Sequence, residues 1–140
     1  MEELIPCLAR DLRAALDAEL APLGITMQQG ALIMRIAQGE DSPGQLAGLV
    51  GTDTAGMTRL IDRLVGKELV RRSPRPGDRR AVVVELTEAG RELHPLVPPA
   101  FARVAARLLG GFSPAEERAA DDLLRRMIEN LHGAGACTGG

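Results

Sequence analysis

Ser42 to Leu86 reads SPGQLAGLVGTDTAGMTRLIDRLVGKELVRRSPRPGDRRAVVVEL, and the fold turns on how this stretch is parsed. Within Gly51 to Val70, the apolar residues Met57, Leu60, Ile61, Leu64 and Val65 recur at helical spacing. That period marks one face of an amphipathic helix. Thr54, Thr58, Arg59, Asp62, Arg63 and Lys67 fall mostly off the face and are left to solvent or a partner. Upstream, Leu46, Ala47, Leu49 and Val50 belong to a shorter helix opened by Ser42-Pro43-Gly44-Gln45, a capping-box pattern with proline at the first helical position. Gly51 makes the tight turn between the two helices, and either Thr52 or Asp53 caps the second. Downstream, two extended runs, Leu69–Arg72 and Ala81–Leu86, flank Ser73–Asp78, where two prolines and a glycine force a turn. A helix-turn-helix followed by a basic hairpin is a winged helix-turn-helix, a reader of duplex DNA.

Charge points the same way. Between Arg59 and Arg80 stand Arg59, Arg63, Lys67, Arg71, Arg72, Arg75, Arg79 and Arg80 against Asp62, Glu68 and Asp78, an excess of five cations in a chain whose net charge is −2. Phosphate binding is local, so this concentration matters more than the acidic total. Tryptophan and tyrosine are absent and Phe101 and Phe112 are the only aromatics, which weighs against single-strand or RNA binding by base stacking.

The 140 residues, 45% of them hydrophobic, suffice for one domain with a real core. No apolar run approaches the roughly 18 residues of a membrane span, and the acidic, charge-interrupted start is no secretory signal. A cytoplasmic protein with no membrane partner is expected. Leu4, Ile5, Leu8, Leu12, Leu16 and Leu20 step along a first helix from about Glu2 to Ala21, ended by Pro22 and Gly24. Thr26–Gln29 is a capping box opening a helix to about Gln38, with Leu32, Ile33 and Ile36 inward. Thr87 caps a long helix in which Pro95, Pro98 and Pro99 predict a bend near Leu96 to Ala100. Ser113–Glu116 is a third capping box, and the helix it opens carries Leu123, Leu124, Met127, Ile128 and Leu131. The glycine-rich end, 133–140, is expected to be a flexible tail.

The expected fold is therefore mainly α with a two-stranded β-wing: a single domain over 1–140, its DNA-binding unit at 42–86, and dimerisation helices at 1–21 and 87–132. The stripes Leu4, Ile5, Leu8, Leu12 and Leu123, Met127, Leu131 form the expected dimer interface. A two-fold dimer sets its recognition helices one DNA turn, about 34–36 Å, apart on a palindromic operator.

The chain resembles the multiple antibiotic resistance regulator (MarR) family. The resemblance runs through Leu49 to Val65, then Lys67-Glu-Leu-Val70, Asp78-Arg-Arg-Ala81 and Leu86-Thr-Glu-Ala-Gly90, in the family's order and spacing. It implies a homodimeric transcription regulator, commonly a repressor released by a small-molecule effector. It places Arg59 near base edges, where its two donors suit guanine, with Thr54, Gly56 and Thr58 as its neighbours. It makes Arg80 the wing arginine, with Asp78 bracing that turn by pairing with it, and leaves Arg75 and Arg79 to reach phosphates or the minor groove. Arg63 joins this set, although Asp62 and Arg63 lie three and four residues from Arg59 and could instead form an ion network on the helix surface. Some members respond to cysteine oxidation, so a redox-responsive regulator using Cys7 or Cys137 is an alternative.

A winged helix can also serve as a protein-interaction module, which would not need arginines crowded on its wing. An enzyme is not expected. His94 and His132, the only histidines, stand in no catalytic pattern, no nucleophile-elbow, zinc-protease or nucleotide-loop motif is present, and neither a cofactor nor a metal is called for.

Overall fold

Five helix starts show what local sequence decides. Thr26, Asp53, Thr87 and Ser113 each accept the backbone amide three residues on, at 3.3, 2.7, 3.1 and 3.2 Å. At Thr26 and Ser113 the box is complete, with Gln29 and Glu116 reaching back to the cap amide. The choice between Thr52 and Asp53 thus falls to Asp53. Ser42 departs from expectation and makes no side-chain cap. Its ψ is 125°, whereas the working caps hold 159–176°, so its hydroxyl is rotated away from the helix amides.

The computed structural model describes residues 1–133, so the expected tail beyond Gly133, with Cys137, lies outside the described residues. The elements are α1 (Leu4–Leu20), α2 (Met27–Ala37), α3 (Pro43–Val50), α4 (Thr54–Gly66), β1 (Val70–Arg75), β2 (Asp78–Leu86), α5 (Glu88–Leu93), α6 (Val97–Leu108) and α7 (Pro114–His132), with 3-10 turns at Ala21–Leu23 and His94–Leu96. The fold is mainly helical with a two-stranded antiparallel wing and helices at both ends. Among the described residues no helix is long and apolar enough to cross a membrane.

Several boundaries differ from the sequence reading. The recognition helix α4 is shorter than Gly51–Val70, because Glu68 takes a left-handed φ of 60° and turns the chain into β1. Val65, near its end, is exposed rather than on the buried face. Both strands run further into the turn than expected, so that only Pro76 and Gly77 lie between them, Gly77 at φ 83°. The helix after Thr87 breaks at His94–Leu96, just before the expected bend. Pro98 and Pro99 then sit in the first turn of α6, where no amide is needed.

Two compact units are present, Met1–Val104 and the chain from Ala105 on. The first holds the core. Leu20, Leu32, Ile33, Leu46, Met57, Ile61, Leu64, Val70, Val84 and Val97 are all buried there, drawn from seven elements. In the second, α7 leaves Leu123, Leu124, Met127 and Leu131 exposed.

The wing ladder pairs Val70 with Leu86 through to Pro74 with Val82, then jumps to Arg75 with Asp78. Arg79, Arg80 and Ala81 are squeezed out between those two pairs. The register slips directly after Pro74, and the extra residues on β2 form a bulge there. The base is fixed by α5. The Thr87 amide donates to the Leu69 carbonyl at 3.0 Å and its hydroxyl to the Glu68 carbonyl at 2.6 Å. A Cβ on Gly90 would strike that same Leu69 carbonyl, which is why the Leu86–Gly90 motif ends in glycine.

Candidate nucleic-acid interface

The buried side of α4 presents Met57, Leu60, Ile61 and Leu64 to the core, which leaves Thr54, Thr58, Arg59, Asp62 and Arg63 exposed on the other. Arg59 and Arg63 have no hydrogen-bond or ion-pair partner among the described residues. Thr58 donates its hydroxyl to the Thr54 carbonyl of its own helix at 3.0 Å. Gly56 has a structural task of its own. Its amide is the one Asp53 caps, and a Cβ there would run into the Thr52 hydroxyl.

Asp62 does not join an ion network with Arg59 or Arg63. Its carboxylate lies 2.7 Å from Arg72 on β1, and the same guanidinium nitrogen donates to the Thr58 carbonyl at 3.5 Å. Arg72 therefore clamps the wing to the recognition helix and neutralises an acid on its exposed face. Arg75, expected to be free for phosphate, is paired with Asp41 at 3.0 Å. The Asp41 carbonyl also accepts the Val84 amide at 2.8 Å, so the segment before α3 is tied to both strands. Arg71 pairs with Glu85 at 3.3 Å. The Ser73 hydroxyl donates to Glu85 at 2.6 Å, and this bond, followed by Arg71, holds the Glu85 carboxyl below the ordinary glutamate range.

At the extruded bend, the guanidinium groups of Arg79 and Arg80 carry no partner among the described residues. Asp78 braces the bend differently from expectation: it accepts the backbone amide of Arg80 at 3.0 Å rather than pairing with its side chain. The structure thus brings four exposed, unengaged arginines, Arg59, Arg63, Arg79 and Arg80, to one supersecondary unit. The roles of Asp41, Lys67 and Arg72 were not visible in the sequence, because their partners lie 10 to 43 residues away.

Of the expected interface leucines in the first unit, Leu4, Ile5 and Leu8 are exposed and Leu12 is half-buried. Cys7 is half-buried, accepts from Arg10 at 3.3 Å and donates to Asp11 at 3.6 Å. A cleft of about 490 Å³ lies among α2, the following loop, β2 and α5, with Ile36, Val84 and Leu86 as apolar wall and Asp41, Glu85, Arg91 and His94 as polar rim.

The sequence model of the MarR family matches residues 25–82. The HTH-type transcriptional repressor NicR of Pseudomonas putida is 37% identical over 97 residues, 69% of this chain and 61% of that protein. The chain spans about three fifths of the length of the curated relatives it matches. A mutant MarR from E. coli, solved in complex with operator DNA, is similar over 91% of this chain and 92% of that one, with a TM-score of 0.83 at 27% identity. The transcriptional regulator SlyA shares the fold, with a TM-score of 0.85 over 92% of both chains at 23% identity.

Proposed function

The chain belongs to the MarR family, and from that premise we propose that it is a sequence-specific duplex-DNA-binding transcription regulator, acting as a homodimeric repressor released by a small-molecule effector. One observation carries the reading: four arginines with no carboxylate partner among the described residues, Arg59, Arg63, Arg79 and Arg80, share the exposed surface of a helix-turn-helix and its wing. Arg59 and Arg63 lie four residues apart on α4, so their side chains point the same way and suit a major groove, with Thr54, Gly56 and Thr58 beside them. Arg79 and Arg80 suit the flanking phosphates or minor groove, with Arg75 held back by Asp41. A relative bearing the name repressor and a similar fold crystallised with operator DNA support the same reading.

The exposed stripes supply the second half of the proposal. Leu4, Ile5 and Leu8 with the half-buried Leu12, and Leu123, Met127 and Leu131, are each covered by a second copy of the chain. Stable homodimers commonly bury more than ~2,000 Å² of largely apolar surface. The cleft rimmed by Arg91 and His94 is the site offered to an effector, which acts by binding one of two dimer arrangements better than the other.

Recovery of bound DNA from the whole genome, followed by titration of the recovered duplex at rising salt, tests this reading. A palindromic sequence bound with steep salt dependence is expected. Binding of equal strength to scrambled duplex, or none, removes the sequence-specific regulator. Sedimentation of Leu8→Glu is expected to give monomer with lost operator binding, and a monomer that binds the palindrome at parent affinity removes the dimer.

A further inference from the structure

Lys67 follows the last residue of α4, where a lysine ordinarily rests on the last carbonyls of its own helix. Here its ammonium reaches across the molecule instead. It donates to the Gly24 carbonyl at 2.6 Å and to Gln29 Oε1 at 2.7 Å, across 43 and 38 residues of sequence. Gln29 is only 3% exposed, and the same oxygen also accepts the Thr26 amide in the cap of α2. Gly24 stands at φ 74° in the corner where α1 gives way to α2. One cation therefore joins the end of the recognition helix to the corner that closes α1.

We propose that Lys67 is a positioning residue that locks the recognition helix to the corner between α1 and α2 and so sets the half-site spacing the protein accepts. The proposal rests on the dimeric DNA-binding reading above. The exposed stripe of α1, Leu4, Ile5 and Leu8, fixes that helix to the second copy in that reading. With α4 pinned to the corner between α1 and α2, each recognition helix moves with its own dimer helix and the distance between the two is held. Without the tie, core contacts still seat α4, but its C-terminal end is free to swing. Both acceptors draw the ammonium toward the α1–α2 corner, so Lys67 acts on DNA through geometry and not by touching phosphate.

The test compares Lys67→Met, which keeps an apolar stem, with Lys67→Arg, which keeps two donors. The probes are the recovered palindrome, versions with one or two base pairs inserted or removed between half-sites, and a scrambled duplex of equal length. Lys67→Met is expected to lose about tenfold affinity at the native spacing, as fits the lower range for a hydrogen bond to a charged group. It should lose less at altered spacings, so the preference flattens. Binding to scrambled duplex and the salt slope stay at parent values, and Lys67→Arg restores the spacing preference. A parent-like spacing profile in Lys67→Met overturns the proposal. So does an equal loss on scrambled duplex with a salt slope lower by about one, the mark of a direct phosphate contact. If Lys67→Met loses its cooperative melting transition, Gln29→Glu reads the tie from the other side, since it keeps the capping box and gives Lys67 an anionic partner. A retained or sharpened spacing preference then supports the proposal, and a flattened one overturns it. A parent protein indifferent to spacing would remove the dimeric-reader proposal itself, which none of these variant outcomes does.

Discussion

The two strands of the wing carry the same residue type to different ends. On β1, Arg71, Arg72 and Arg75 each face a carboxylate of their own chain: Glu85, Asp62 and Asp41, at 3.3, 2.7 and 3.0 Å. On β2, Arg79 and Arg80 face none among the described residues. The β1 arginines hold the hairpin against α4 and the segment before α3, and they cancel acids that would otherwise repel a polyanion. The β2 arginines stay exposed, and in the proposed reading it is they that meet the polyanion. Of the eight cations between Arg59 and Arg80, half are engaged within the chain, so a cation count from sequence is twice the number left without a partner among the described residues.

The contrast can be broken most severely without touching an arginine. Gly90→Ala drives a methyl into the Leu69 carbonyl at the base of both strands. A loss of about 3 kcal/mol is expected, at the upper end for overpacking, and urea unfolding measures it. Next comes Arg59→Ala on α4, the helix to which the wing is clamped. Operator affinity should fall by ~1–3 kcal/mol with relaxed base preference, as for loss of a bidentate base contact. Undiminished selectivity in a competition assay would remove Arg59 as a base reader.

Smaller effects separate the strands themselves. Arg72→Ala should weaken operator binding in the parent but much less in an Asp62→Asn background, with a coupling of about 1 kcal/mol. Equal losses in both backgrounds would make Arg72 a phosphate contact like those proposed on β2. Arg79→Ala and Arg80→Ala should each flatten the salt slope by about one, alike, because Asp78 holds the Arg80 backbone and stays braced in either variant. Arg75→Ala should leave the slope unchanged. The smallest effect is on acid stability. The Glu85 carboxyl titrates lower in the folded hairpin than in the unfolded chain, so its contribution is present above the ordinary glutamate range and is lost as pH falls through the lower folded value. Ser73→Ala should lessen this pH dependence, since the Ser73 bond is its largest single cause, while Arg71 keeps part of it.

What could be read in the sequence was local. The apolar period of Met57, Leu60, Ile61 and Leu64 located α4, and the boxes at Thr26 and Ser113 located α2 and α7 within a residue or two. Ser42 carried the same pattern and failed, because capping depends on a backbone angle that the pattern does not specify. The pairing of arginines was beyond reach for a different reason. Asp41 and Arg75 meet only after β2 has folded back beside the segment before α3, and no spacing rule spans the 34 residues and the two helices between them. Arg59 and Arg63 were legible as exposed because helical geometry alone decides it. Arg75 was misread because tertiary contact decides it.

The slipped register at Pro74 bears on how the protein coexists with copies of itself. A two-stranded sheet has two open edges, and an open edge is a template on which another chain can add a strand. Here neither edge is long or flat. On β2 the Val84 amide is taken by Asp41, and on β1 the proline offers no donor while the bulge beyond it twists the ladder out of line. Arginines along both strands add like-charge repulsion to any second wing approaching side by side. The bend that exposes Arg79 and Arg80 therefore also protects the wing from aggregating through its edges, and Pro74→Val would trade that protection for a straighter, stickier hairpin.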